Sequence, residues 1–360
     1  MPSILSVSTF NPPHTLKQDM TTEFAKELFT KDFQDIERLL KAFQNGQIEQ
    51  RNFAVPMSWF EADHSLGERN DLYIKLATEY GVEVIRSCLS NPEFLKKTIN
   101  CSEIEAIFFV SSSGLSTPSI EARIMNHLPF SRHTKRVPIW GLGCAGGAAG
   151  ISRAYEYCLA FPQAKVLVLC VELCSLTFQR NDRTKSNLIG TSLFADGAAC
   201  VLIGGDQSEY SVTQHPKPYV LGTHSCLMPY SEEVMGWDIK DNGLFVVFSR
   251  DIPTIIEKWL KPVIDEFLTQ YGFHLKDVTH FIGHPGGKKV LDAYEKTLDI
   301  DQEMTRHSRK VLRENGNMSS PTVLYVLKEV MGIETELGDI GLLGALGPGF
   351  CSELILVEWR

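Results

Sequence analysis

The chain has 360 residues, of which 43% are hydrophobic and 22% charged, and a formal net charge of -9 at pH 7. This composition is that of a soluble globular protein, long enough for two halves at about 100–200 residues per domain, and its acidity argues against nucleic acid as a partner. The nine cysteines, an odd number without Cys-x-x-Cys pairs, argue against a disulfide framework or a zinc site and point to a reduced compartment. Met1 to Ser8 lacks the positive start and long apolar run of a signal peptide. No apolar run reaches the roughly 18 residues of a membrane span. A cytoplasmic protein without stable membrane insertion is expected.

In chain order, Ile4 to Phe10 reads as a strand ended by Pro12-Pro13. Met20 to Phe43 carries apolar residues at helical spacing and predicts one long helix, with Gly46 as its stop. Leu72 to Cys88 predicts a second helix. Ala106 to Val110 reads as a buried strand, Ser111 to Gly114 as a turn, and Pro118 to Leu128 as a helix. Val137, Ile139 and Trp140 predict another buried strand, broken at Gly141 and Gly143, with a helix beginning after Cys144. Val166 to Val171 is again a buried strand, running into Glu172-Leu-Cys-Ser. Thr191 to Gly197 reads as turn-rich, and Ala198 to Ile203 as a strand. The polar stretch Gly204 to Lys217 marks a boundary, dividing the chain into 1–210 and 211–360. Beyond it, Ile252 to Tyr271 and Lys288 to Leu298 predict helices and Val278 to Ile282 a strand. Asn317 is expected to open a helix through Val330. Strands follow at Asp339 to Leu343 and Cys351 to Glu358. Strands alternating with helices in both halves predict an α/β fold with largely buried sheets.

Three polar residues stand at suggestive places. Cys144 lies at a strand–glycine turn–helix junction, where unpaired backbone N–H groups and the helix dipole favour a thiolate. The mechanics resemble the nucleophile elbow of hydrolases with Cys for Ser, although a buried Cys in a glycine-rich turn has the same pattern. His284, in Gly283-His-Pro-Gly-Gly287, follows a strand and precedes a helix, as Cys144 does; alone it could be a core or turn histidine. Asn317, in Gly316-Asn-Met-Ser-Ser320, could be a plain N-cap. Gly344-Ala-Leu-Gly347-Pro348-Gly349 reads as a rigid loop that allows close approach to a ligand; alone it would be a hairpin turn. Together, His supplies the base or cation that a Cys nucleophile needs, an ion pair with His⁺ lowers the thiol pKa, and Asn and His can hydrogen-bond an oxyanion. Papain-type proteases also use Cys, His and Asn. Their Cys-Gly-Ser-Cys-Trp sequence is absent here.

Trp140-Gly-Leu-Gly-Cys-Ala-Gly-Gly147, Gly283-His-Pro-Gly-Gly287, Gly316-Asn-Met-Ser-Ser320 and Gly344 to Phe350, with Ser192 to Ala199 and Thr177-Phe178, resemble in order the signatures of type III polyketide synthases. The resemblance to these chalcone-synthase-like enzymes covers nearly the whole chain. Phe178 to Leu188 and Phe43 to Ile48 look closer to the bacterial alkylpyrone synthases than to the plant enzymes.

The resemblance implies the thiolase fold, two similar αβαβα halves forming a five-layered core, and a homodimer. It implies Cys144 as acyl acceptor and His284 with Asn317 as the groups that stabilise the malonyl-derived enolate. The substrates would be acyl-CoA and malonyl-CoA, with no cofactor or metal. Phe194 matches the gatekeeping Phe and Val246 the second gatekeeper position, with Phe245 and Phe248 close by. Ser112, Ser113, Cys174, Leu176, Thr177 and Ser319 match cavity-lining positions, small or apolar enough for an aliphatic starter. Thr117 stands where plant members place a Met into the partner's cavity. CoA phosphates call for cations at a tunnel mouth; Lys41, Arg51, Lys288 and Lys289 are the candidates, Arg51 being equally compatible with a structural role and the lysines with a solvated face. Two alternatives share the fold: a ketoacyl synthase of fatty-acid initiation, performing one condensation with malonyl carrier protein, and a non-catalytic acyl-binding protein.

Overall fold

The computed structural model describes the chain except residues 31, 32, 34, 214, 215, 250 and 334 and the side chain of residue 42. β1 (Ser3–Phe10) is followed by β2 (His14–Lys17), α1 (Gln18–Phe29), α2 (Ile36–Asn45) and β3 (Gln50–Phe53), with β2 and β3 antiparallel. The predicted single helix from Met20 to Phe43 is thus two helices, and residues 31, 32 and 34 of that prediction lie outside the described residues. Its apolar stripe does not distinguish one long helix from two that fold together: Ala25 and Phe29 of α1 and Ile36, Leu40 and Phe43 of α2 share one small core with Leu188.

α3 (Leu66–Leu89) starts six residues before the predicted Leu72. Ser65 and Glu68 form a reciprocal capping box that fixes the earlier start. β4 (Ile104–Val110) leads to α4, which spans only Ile120–Ile124 of the predicted Pro118–Leu128. β5 (Lys135–Ile139) is the sheet edge. Val137 and Ile139 are half-buried and Trp140 is 46% exposed, so the expected buried strand is an edge strand with apolar residues left uncovered.

After α5 (Gly146–Ala160) come β6 (Lys165–Leu173) and β7 (Asp196–Gly204), buried at every position. Between them, α6 (Lys185–Leu193) occupies the first part of the Thr191–Gly197 stretch read as turns. β8 (Pro218–Leu227) and the hairpin of β9 (Met235–Lys240) and β10 (Gly243–Phe248) precede α7 (Ile252–Gln270). Then come β11 (His280–Gly283), α8 (Lys288–Leu298), α9 (Arg306–Asn315), α10 (Thr322–Met331), β12 (Ile340–Gly347) and β13 (Cys351–Trp359). α10 begins five residues after Asn317, which is therefore not its N-cap. The expected glycine loop from Gly344 is strand β12 as far as Gly347; only Pro348–Phe350 turn the chain.

The main sheet runs β11-β12-β13-β8-β1-β7-β6-β4-β5. Five strands come from before the polar stretch at 204–217 and four from after it. The two sets meet at the single pair Ser3–Tyr219. α5 and α10 pack together between them, through small residues. A Cβ on Gly147 would sit 2.3 Å from the Ser320 carbonyl oxygen, and one on Gly146 2.5 Å from Val110. That close approach brings the start of α5 against the segment leading into α10.

Candidate active site

β4 pairs in parallel with β5 on one side and β6 on the other. Past the C-terminal ends of β4 and β5 lie Ser111–Ser113 and the Trp140–Cys144 turn, with Glu172 in the last residues of β6, in the position where parallel sheets commonly bind ligands. Gly143 has φ 46° and a Cβ there would lie 2.9 Å from Pro348 Cδ; one on Gly347 would lie 2.5 Å from the Leu142 oxygen. These two glycines let the β12–β13 turn press directly onto the cysteine turn. The Gly143 N–H donates to Ser112 Oγ (3.2 Å). Cys144, in the turn just ahead of α5, is buried.

His284 follows β11, and its N–H donates to the Gly344 carbonyl (2.8 Å), tying it to β12. Asn317 is held on several sides. Its N–H donates to the Leu193 carbonyl (2.9 Å) and its carbonyl accepts from Ala195 N–H (2.9 Å). Its Nδ2 donates to the Gly286 carbonyl (3.1 Å) in the histidine turn, and its Oδ1 accepts from Ser319 N–H (2.8 Å), which fixes the amide orientation. The Cys144 thiol donates to that Oδ1 at 3.9 Å. The three residues singled out in the sequence therefore converge from three separate turns.

Their ionisation departs from expectation. Burial pushes the Cys144 thiol up to about 11, against the Ser319 and Asn317 hydrogen bonds and with the nearby Glu172 adding to the rise. Burial alone pulls His284 down to about 3, and neither ring nitrogen has a partner among the described residues. Burial thus disfavours the charged form of both groups, against the thiolate–imidazolium pair expected from the sequence. What the arrangement offers is an imidazole whose nitrogens are both without a partner among the described residues and an amide whose Nδ2 carries a second hydrogen.

Glu172 was not singled out, although a charged residue ending an all-apolar strand was visible in the sequence. It is fully buried. Its carboxylate accepts from Ser112 N–H (3.0 Å), Ser113 N–H (2.9 Å), Ser113 Oγ (2.6 Å) and Ser320 Oγ (2.9 Å). It thereby binds the Ser111–Ser113 turn to the segment carrying Asn317. Burial still pushes it from 4.5 up to about 7. The folded state therefore retains a proton that the unfolded chain releases between these values. This contribution to stability is full below 4.5 and is lost as pH rises toward 7. Glu172→Gln is expected to flatten that fall, read as denaturation midpoints of both proteins at about pH 5 and about pH 8.

A chamber of about 550 Å³, open to solvent, is lined by Cys174, Thr177, Phe194 and Val246 from the expected set, with Phe24, Met57, Phe60, Phe178 and Trp237 among the residues not foreseen. The Phe194 ring lies 5.5 Å from Phe248 and 5.8 Å from Trp237, and its backbone pairs with Asn317, so it stands between chamber and triad. Ser113 and Leu176 line a second, smaller cavity, which Thr177 shares. Ser112 supports the cysteine turn, and Ser319, with φ 61°, bonds Asn317.

Of the expected phosphate-binding cations, Lys41 and Lys289 are exposed, and Lys288 pairs with Asp292 (2.5 Å). Arg51 is corrected: it is 1% exposed and donates to the Thr191 (2.8 Å) and Phe194 (2.7 Å) carbonyls and to Thr21 Oγ1 (2.8 Å). It braces the end of α6 beneath Phe194 and is not a cation at a tunnel mouth. Arg51→Met should cost on the order of 3 kcal/mol in a denaturant titration, by leaving these acceptors buried and unpaired.

Family models described as chalcone and stilbene synthases match residues 48–207 (N-terminal domain) and 221–359 (C-terminal domain). A chalcone synthase-like protein of Bacillus subtilis (strain 168) is 51% identical over 363 aligned positions, covering 100% of this chain and 99% of that one. A 1,3,6,8-tetrahydroxynaphthalene synthase of Streptomyces peucetius subsp. caesius is 33% identical, covering 99% and 93%. The crystal structure of 1,3,6,8-tetrahydroxynaphthalene synthase from Streptomyces coelicolor A3(2), a bacterial type III polyketide synthase, superposes with a TM-score of 0.92 at 29% identity, covering 99% of each chain. The chain belongs to the chalcone and stilbene synthase family, the type III polyketide synthases, and has their thiolase-like α/β fold.

Proposed function

We propose that this type III polyketide synthase takes a fatty acyl-CoA starter, extends it with malonyl-CoA and closes the product to an alkylpyrone. The observation that carries this reading is the meeting of Cys144, His284 and Asn317 beside a chamber walled largely by aromatic and aliphatic side chains. A starter thioester entering the site brings its carbonyl to the cysteine sulfur. The thiol proton passes to His284, the sulfur adds to the carbonyl, and CoA leaves as its thiol, taking the proton back. The acyl group is then held as a Cys144 thioester.

Malonyl-CoA next loses CO₂. The electron pair of the broken C–C bond forms an enolate, whose oxygen accepts hydrogen bonds from His284 and Asn317. The enolate carbon attacks the acyl–Cys144 carbonyl, forming the new C–C bond and expelling the cysteine sulfur. Repetition gives a triketide. Its enol oxygen attacks the thioester carbon, expels CoA and closes the pyrone ring. These steps call on a thiol, an imidazole and an amide and on no metal or redox cofactor. The protein is proposed to act as a cytoplasmic homodimer.

The test is mass spectrometry of products from malonyl-CoA with acyl-CoA starters from short to long chain. Alkylpyrones from long starters are expected. A β-ketoacyl product extended once, or reaction only with malonyl carrier protein, would identify a ketoacyl synthase instead.

A further inference from the structure

The smaller cavity, about 340 Å³ including its opening, lies across Thr177 from the main chamber. Its polar lining is almost wholly engaged. Asn70 exchanges two hydrogen bonds with Leu115 (2.8 Å each). Gln179 Nε2 donates to the Thr177 (3.0 Å) and Leu244 (3.3 Å) carbonyls. Ser113 Oγ donates to Glu172, and Thr177 Oγ1 to the Cys174 carbonyl (2.8 Å).

Arg69 is the exception. It lines the cavity at 8% exposure, its side chain has no hydrogen bond or ion pair among the described residues, and its fully buried Nη1 is unpartnered. The acidic groups nearest it are engaged elsewhere. Glu68 caps α3 through Ser65 (2.8 Å), and Asp63 accepts from Asn181 (3.1 Å). A buried guanidinium without a partner is costly, and its planar fork matches a planar, delocalised oxyanion.

We propose that Arg69 makes this cavity an oxyanion-binding subsite. It would hold either the enolised 1,3-dicarbonyl unit of the chain being built or a terminal carboxylate carried on the starter. The first source rests on the polyketide reading above, since only a poly-β-ketone presents such an enolate. Thr177 borders both cavities, so the Arg69 cavity adjoins the large chamber.

Binding can be tested apart from turnover. Cyclohexane-1,3-dione, a stable enolised 1,3-dicarbonyl, and acetate are titrated onto the purified protein and followed by ligand-observed NMR. Arg69→Gln and Arg69→Lys serve as comparisons, with dimer mass and melting temperature recorded for each. Wild type is expected to bind one probe at least tenfold more tightly than Arg69→Gln, and Arg69→Lys is expected to fall between. Binding of the dione assigns the growing chain as source; binding of acetate alone assigns a starter carboxylate. Equal binding by wild type and Arg69→Gln, or by neither, overturns the proposal, as does loss of the dimer in Arg69→Gln, which would make Arg69 a structural contact. Should Arg69→Gln fail to fold, protection of wild-type Arg69 from phenylglyoxal by either probe, mapped by peptide mass, decides the question. None of these readouts needs polyketide synthesis, so their failure is distinct from failure of the proposed activity.

Discussion

Cys144→Ala is expected to abolish polyketide formation, lowering turnover by about 10³-fold or more, while leaving release of CO₂ from malonyl-CoA measurable. The two activities separate because the structure separates their groups. Chain elongation needs the sulfur as acyl carrier, and among the described residues no other thiol is bonded to Asn317. Decarboxylation needs only donors for the enolate oxygen, and His284 and Asn317 are held by contacts that do not involve the sulfur. Alanine fits the site without overpacking. Serine should rescue little: burial pushes even the more acidic thiol up to about 11, and a hydroxyl loses its proton still less readily. Elongation is read as pyrone by mass spectrometry and decarboxylation as acetyl-CoA formed from malonyl-CoA.

The converse pair, His284→Ala and Asn317→Ala, should reduce decarboxylation by about 10²–10³-fold each, the usual cost of removing one oxyanion donor. The variants should differ in the first half-reaction. Without His284 the thiol has no base, so loading of Cys144 from acyl-CoA slows as well. Without Asn317 the base remains and loading should persist, leaving an acyl-enzyme that accumulates because it is not extended. Single-turnover loading, read by intact-protein mass, and acetyl-CoA release separate the two roles. Equal loading defects in both variants would show that Asn317 also serves the nucleophile.

The strand–turn–helix around Cys144 was legible because glycines at positions of close approach cannot be replaced without collision, and they leave a pattern in the chain. Gly143 against Pro348 and Gly147 against Ser320 are such positions. Asn317 was legible as a residue but not as a position: its neighbours suggested an N-cap, whereas α10 starts at Thr322 and the side chain bridges two turns distant in sequence. Edge and interior strands cannot be told apart by hydropathy alone, so β5 was read as buried. A helix break within a continuous apolar stripe is equally silent, which hid the division between α1 and α2. Arg51 carried the opposite ambiguity, since an arginine that braces backbone carbonyls and one that binds phosphate are the same letter. Glu172 and Arg69 take their meaning from burial, which depends on what the rest of the chain places around them.

The role of Cys144 as acyl carrier is tested most directly by a covalent readout. The wild-type protein is incubated with a long-chain acyl-CoA and no malonyl-CoA, then examined by intact mass and peptide mapping. One acyl group per chain on the peptide containing Cys144 is predicted. An adduct on Cys174 or Cys351, or no adduct at all on a folded protein, would contradict it.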